Sequence, residues 1–576
     1  MLPLSEIILL PGAYIRQSGV RATRSGRTEN RRCPAPAGRA QTLPLMRRLQ
    51  RLVRATALLL AVTAIGTTVA APFISHKDKS AHGRAQLKAL MEDAAPVFRD
   101  VSVHDPSVIQ AGDGFYVFGS HLAAAKTTDF MQWDLVADGV HSANPLFENV
   151  VTELADIFDW SGGVGLWAND VTQLDDGRFY MYPNLSQSDA PRASIGLAIA
   201  DDVEGPYDYQ GIFLQSGMWD QISEDGVNVY DPTYHPNAID PHVFFDQEHR
   251  LWMVYGSYSG GIFILQMDPG TGLPFEGQGY GTHLLGGNHA RIEGPFILYS
   301  PHTGYYYLFV SFGGLAAGDG YNMRVARSVT PDGPYHDAMG VDMATVKGAP
   351  GTLFDDASIA PYGQKLFGDH FWERYVSEPG TASGHGYVSP GHNSAYYDPG
   401  ANRYFLVFHT RFPNRGEFHQ VRVHEMFMNA EGWPVVAPYR WVPYRFVPYR
   451  DIPYVRKGFP YYQKNCPHKS YCWNVETVAL EETPGEYKLI NHGKEIRMAL
   501  EMPDAVTLNS DGSITGDYIG QWTRSFGNRI TVELDGVGLF NGVMSRGWNE
   551  TSQQFVVTFT AQSGEGISIW GSQLAQ

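Results

Sequence analysis

Five short segments place an unusual polar residue ahead of an aromatic run. They are His104-Asp105-Pro106, Trp167-Ala168-Asn169-Asp170, Ile239-Asp240-Pro241, Ile292-Glu293-Gly294-Pro295 and Gly391-His392-Asn393. Asp105, Asp240 and Glu293 are the acidic members that matter most for chemistry. Several carboxylates converging on one cavity suit hydrolysis of a glycosidic bond. One carboxylic acid protonates the leaving oxygen, and a carboxylate on the opposite face activates water or attacks. A third keeps the acid protonated, because neighbouring like charges resist joint ionisation. Taken singly these signals are weak: Asp-Pro pairs are common turn formers, and Glu-Gly-Pro equally suits a surface turn.

The elements that would position them form an internal repeat. The aromatic runs are Phe115-Tyr116-Val117-Phe118, Phe179-Tyr180-Met181-Tyr182, Leu251-Trp252-Met253-Val254-Tyr255, Tyr305-Tyr306-Tyr307-Leu308-Phe309 and Tyr404-Phe405-Leu406-Val407-Phe408. Each follows a turn signal such as Asp113-Gly114, Asp176-Gly177 or Asp398-Pro399-Gly400. Each is preceded and followed by a further strand pattern, which gives three or four strands per unit. Aromatic and β-branched richness with many Gly and Pro reads as all-β. Five small sheets suit radial repetition, a five-bladed β-propeller; a sandwich with chance alternation is the competing architecture. In a propeller, equivalent positions lie at equal radius. Asp105, Asp170, Asp240, Glu293 and His392 are therefore expected to form a polar ring on the central axis.

The three acidic segments, His104-Asp105-Pro106-Ser107-Val108, Ala238-Ile239-Asp240-Pro241 and Arg291-Ile292-Glu293-Gly294-Pro295, resemble those of glycoside hydrolase family 43. The stretch Phe408-His409-Thr410-Arg411-Phe412, through Val421-Arg422-Val423-His424 to Gly432-Trp433-Pro434, resembles the larger two-domain endo-α-1,5-L-arabinanases of that family. The resemblance implies that Asp105 is the general base, Glu293 the general acid, and Asp240 the residue that tunes the acid and orients substrate. It implies inversion at the anomeric carbon, with base and acid about 6.5–9.5 Å apart, and arabinan as substrate. His392 resembles the histidine that holds an axial ion in the arabinanase group, usually calcium and largely water-coordinated. Calcium normally prefers oxygen, and a hydrogen-bonded inner-strand histidine is the alternative to the expected calcium ligand. The Gly256–Ile262 loop resembles the family's substrate-contacting turn, which points to Ser257, Ser259 and Gly260. In the second unit Asn169 stands where the family usually has Pro. Asn169 and Asp170 are candidates to contact substrate, and Trp167, Trp133 and Phe312 to stack on sugar, with a buried core role the simpler alternative for each aromatic. An exo-acting arabinofuranosidase or β-xylosidase would share the axial carboxylates, and a non-catalytic glycan-binding propeller would share the fold.

The rest of the chain bounds these readings. Residues 1–45 are Arg-rich without a core pattern and read as an upstream extension from too early a start. Residues 46–70 read as a secretory signal, with Arg47, Arg48, Arg51 and Arg54 before the apolar Ala55–Ile65 stretch and a small-residue site after it; a cytoplasmic tail before a membrane anchor is the alternative. The formal charge is −17, and residues 1–71 hold eleven Arg and two Glu, which leaves −26 on the remainder. Such an acidic protein is a poor partner for nucleic acid or anionic membranes and suits a neutral substrate. Cys466 and Cys472 fit a disulfide across a short loop in an exported protein. A linker is expected over 71–97, the propeller over 98–440, and a Pro/Tyr-rich connector over 441–474. The alternating pattern of 475–576 fits a small antiparallel barrel or sandwich that buttresses the propeller. A monomer is expected.

Overall fold

A computed structural model describes residues 95–443, 478–525 and 527–575. The expected upstream extension and signal, nearly all of the 71–97 linker, most of the 441–474 connector and the Cys466–Cys472 pair lie outside the described residues. Among those residues no helix is long and apolar enough to cross a membrane.

Between Ser107 and Arg440 the strands assemble into five antiparallel sheets of four or five strands, the blades of a propeller. Blade 1 runs through Ser107–Ala111, Gly114–Phe118, Ala124–Thr127 and Asp134–Ala137. Blade 2 starts at Asp170–Gln173 and blade 3 at His242–Phe245. Blade 4 starts at Ile292–Ser300, and blade 5 is built on the long strand Gly384–Asp398. All five aromatic runs lie on the strand paired with the innermost one, which is the second strand of blades 1 to 4 and the third of blade 5.

Those runs lack the in/out alternation of a half-exposed sheet because both faces are covered. Leu251–Tyr255 is buried at every position. Its Met253 and Tyr255 face a core shared with Tyr180, Tyr182 and Leu197 of blade 2, while Trp252 and Val254 face Ile297, Leu308 and Val310 of blade 4. The same sharing closes the ring. Val117 and Ala125 of blade 1 pack with Phe405, Val407 and Val421 of blade 5, and Val421 N donates to Val101 O at 2.9 Å. At roughly 25 cal/mol per Å2 of apolar area, burial between blades is the main force that holds the ring together. Trp133 and Phe312 belong to these cores at 4% and 0% exposure. Their expected sugar-stacking role is thereby excluded.

From Gly485 to Gln573 eight strands form a closed antiparallel barrel, the first paired with the last. Trp570 on the last strand lies against Phe367, Trp372 and His492. Three cations, Arg324 and Lys365 buried and Lys494 half-buried, also stitch barrel to propeller through carbonyls. Arg324 donates to Lys494 O, Lys365 Nζ to His492 O at 2.7 Å, and Lys494 Nζ to Gly363 O at 2.5 Å. The barrel thus packs on blades 4 and 5.

Candidate active site

A recurrent backbone device aims side chains at the axis. On the innermost strand of every blade, or just before it, one residue has left-handed φ and is followed by Pro or Asn. These are Asp105 (φ 56), Ala168 (φ 38), Asp240 (φ 56), Gly294 (φ 60) and His392 (φ 46). Non-glycine residues adopt this region rarely, at a cost of roughly 1–3 kcal/mol, and such strain collects at functional sites. The repeat therefore has a corrected register. Asp105, Asp240 and His392 occupy one slot, Glu293 stands one residue before it, and Asp170 two residues after it. Blade 2 fills the slot with Ala168. In blade 4 it is Gly294, where a Cβ would press on the His392 ring.

Asp105, Asp240, Glu293 and His392 line an open cavity of ≈ 610 Å3, with Trp167, Ser257 and Ser259 on its walls. Three of the sequence candidates are elsewhere. Asp170 is nine-tenths buried below the cavity, where it accepts from Ser107 Oγ and from Val243 N at 2.7 Å, and so ties blades 1, 2 and 3 together. Asn169 is buried and donates to Gly119 O at 2.8 Å. Gly260 packs against the backbone of Tyr234 and His235, and its N donates to His235 O at 2.9 Å. The polar ring of five is thus a cavity ring of four with a structural aspartate beneath it.

Asp105 is gripped from several directions. Its Oδ2 lies 2.7 Å from His104 Nδ1 and accepts from Ser120 Oγ at 2.5 Å. Its Oδ1 lies 3.0 Å from His392 Nδ1, and its backbone N donates to His409 Nδ1 at 3.2 Å. Burial works to raise its pKa, but the charges of His104 and His392 prevail and hold the carboxyl well below the usual range. Glu293 accepts from Ser257 Oγ at 2.8 Å and from Tyr321 OH at 2.9 Å. Burial dominates there and raises its pKa against the opposing effects of His392 and the two hydroxyls. Asp240 accepts from Gly294 N at 3.2 Å, and burial, opposed by His392 and reinforced by Glu293 and Asp105, pushes it up to about 7. Two carboxyls are therefore biased toward the protonated form and one toward the anion, the division that acid–base hydrolysis requires.

Ser120, Tyr321, His104 and His409 were not found among the sequence candidates, because none sits at an entry slot that stands out in the repeat. Tyr321 precedes the third strand of blade 4, and Gly391 exists where its ring leaves no room for a Cβ. The available signals were the motifs themselves: His104 stands beside Asp105 in the first acidic segment, and His409 lies in the Phe408–Phe412 stretch, but neither was given a role of its own.

For an axial cation, His392 offers a single imidazole. Beside it in sequence, Asn393 is buried, and its side-chain oxygen and nitrogen have no hydrogen-bond partner among the described residues. With the carboxylates of Asp105 and Asp240 nearby, this donor set fits a hard cation that keeps most of its water. His104, Asp105 and His409 also lie within metal-ligand reach of one another, but their atoms are already committed to mutual contacts.

Comparison with known proteins agrees with this architecture. Residues 95–357 match the family model "Glycosyl hydrolases family 43", and residues 467–571 match a C-terminal lipocalin-like domain found with it. An extracellular endo-α-(1→5)-L-arabinanase of Bacillus subtilis is 50% identical over 83% of this chain and 94% of its own length. One from Thermotoga petrophila is 45% identical over 84% of this chain and 97% of its own. Among solved structures, a family 43 glycoside hydrolase of Bacillus licheniformis superimposes with a TM-score of 0.75 at 51% identity, over 84% of this chain and all of that one. The propeller, the axial carboxylates, the barrel and these likenesses together make the chain a member of glycosyl hydrolases family 43.

Proposed function

We propose that the protein is an extracellular, inverting endo-arabinanase that cleaves internal α-1,5-L-arabinofuranosidic bonds of arabinan. The observation that carries this reading is the opposed protonation bias of Asp105 and Glu293 in one cavity. The relatives named as extracellular endo-arabinanases support the substrate and the location. A cavity open to solvent is consistent with attack within a chain. In this reading Asp105, kept anionic by His104, His392 and Ser120, takes a proton from the attacking water. Glu293 gives its proton to the departing glycosidic oxygen, while Ser257 and Tyr321 fix its two oxygens. Asp240, drawn toward neutrality, orients the sugar and limits repulsion in the ring. Inversion requires the base and acid to stand about 6.5–9.5 Å apart, leaving room for the water.

His392 would hold a calcium ion whose remaining ligands are mostly water. When bound, it supplies a positive charge that offsets the axial carboxylates. The protein is proposed to act as a monomer.

The deciding experiment is digestion of debranched linear arabinan, with arabinan and xylan in parallel. Mixed short oligosaccharides are expected from linear arabinan. Arabinose alone would mean an exo enzyme, and no reducing sugar from any substrate would leave a binding propeller.

A further inference from the structure

Phe354 is a bulky residue in a conformation that bulky residues avoid. Its φ is 57°, and it is 53% exposed, so no core packing explains it. It lines the mouth of the axial cavity together with Leu353, 67% exposed, and Leu315, 40% exposed. This apolar lip is an exposed part of the cavity wall.

The position is held by the wall that carries Glu293. Phe354 N donates to His289 O at 3.3 Å, and His289 N donates to Ser259 O at 2.9 Å. The Phe354 ring meets Tyr258 edge-on at 5.7 Å between centroids, and Tyr258 N donates to Ile292 O at 2.9 Å. Just after it, Asp355 caps the short helix Asp356–Ile359, and Asp356 is gripped by Arg291, two residues before Glu293, with Nε to Oδ1 at 3.0 Å. Tyr258 (φ 47), Ser259 (φ 33) and His289 (φ 58) share the left-handed conformation. Four strained residues on one wall, cross-linked to the candidate acid's strand, fix an aromatic ring that leaves half of its surface open to the cavity mouth.

We infer that Phe354, backed by Leu353, is a sugar-stacking platform that binds a substrate residue beyond the cleaved bond and so sets the preference for longer chains. The inference rests on the arabinan-cleaving reading. A flat, exposed aromatic ring suits the apolar face of a sugar, and a neutral ligand suits a lip without charge. Phe354 is thus a specificity-determining residue, distinct from the groups that move protons.

The test compares wild type, Phe354→Ala, Phe354→Trp and Phe354→Gly on linear α-1,5-arabino-oligosaccharides of increasing length. Phe354→Ala is expected to raise KM for the longest oligosaccharides roughly 3- to 10-fold. The shortest cleaved substrate, which cannot reach the lip, is expected to be unaffected, and Phe354→Trp to restore the long-chain KM. Phe354→Gly separates function from structure, because glycine is at ease at this φ. It is expected to leave the thermal midpoint unchanged or higher while raising KM like Phe354→Ala. An unchanged long-chain KM in both Phe354→Ala and Phe354→Gly overturns the inference. So does an equal change on short and long substrates, or a lowered midpoint in Phe354→Gly with normal KM. Failure of the wild type to cleave any arabinan would instead sink the functional reading itself.

Discussion

His392 Nδ1 in the last blade stands 3.0 Å from Asp105 Oδ1 in the first. The two ends of the propeller therefore meet at the site as well as in the apolar seam between blades 5 and 1. The contact is one reason a buried carboxylate can stay ionised: burial penalises its charge, and His104 first and His392 after it offset the penalty. In return, the carboxylates of Asp105 and Asp240 lift His392 to about 9 against the effect of burial.

Asp105→Asn and Glu293→Gln keep side-chain size and remove the ionisable carboxyl, and with it the capacity to take or give a proton. Each is expected to lower turnover on linear arabinan by roughly 10²- to 10⁴-fold. Circular dichroism and the thermal midpoint should show a folded protein in both. Near-normal turnover in either folded variant would contradict its proposed role.

Calcium dependence is checked by elemental analysis before and after exhaustive chelation. Activity is expected to fall on removal and to return with added calcium, and His392→Ala is expected to purify with less bound metal. Full activity in metal-free protein would leave His392 as the partner of Asp105 alone.

Acid stability should be governed by the contact between propeller and barrel. Burial, with the neighbouring positive groups, lowers His370 to about 4, and His385 and His424 to about 3, from an ordinary 6.5. These groups are neutral when folded and take up protons first when unfolded. Their contribution is complete above pH 6.5 and is lost as pH falls from 6.5 toward 4 and 3. Each can steepen the loss by at most roughly 1.4 kcal/mol per pH unit. His370 Nδ1 lies 2.9 Å from Gly368 O, a contact that an Asn amide can mimic. His370→Asn should flatten the fall in denaturation midpoint between pH 6.5 and pH 4, and a slope identical to wild type would refute the assignment.

Lys488 Nζ and Glu378 Oε2 form a 2.7 Å ion pair between barrel and propeller, their side chains only 2% and 1% exposed. Lys488→Met strands a buried carboxylate, and such losses cost roughly 3–5 kcal/mol. Adding Glu378→Gln removes the stranded charge and should recover part of the loss. Urea denaturation of the single and double variants measures both; equal stability of the single variant and wild type would show that the pair contributes nothing.

The five blades were legible because each aromatic run is covered on both faces and so repeats as an unbroken apolar stretch behind a turn. Asp105, Asp240, Glu293 and His392 were legible because an isolated polar residue recurs ahead of each run. Asp170 was placed in the same ring by that logic and lies beneath the cavity. Spacing to the nearest residue is not encoded by the repeat, and a shift of two positions along an inner strand changes depth along the axis. Trp133 and Phe312 could not be told from cavity aromatics, because core and stacking residues share one chemistry. Gly260 was grouped with Ser257 and Ser259 as one loop, although left-handed turns within it send neighbours in different directions.

The sequence by itself determined that five similar sheets would form, that their inner entries would bring acidic residues to one axis, and that a separate β domain would follow. Local pattern is sufficient for that, since burial on two faces and turn chemistry are written residue by residue. Only the tertiary structure decided the working form of the site. It alone brought His104, Ser120, His392 and His409 around Asp105, set Tyr321 and Ser257 on Glu293, and raised Phe354 at the mouth. Those contacts join residues from different blades, and their effect on charge depends on burial and distances that exist only once the ring has closed.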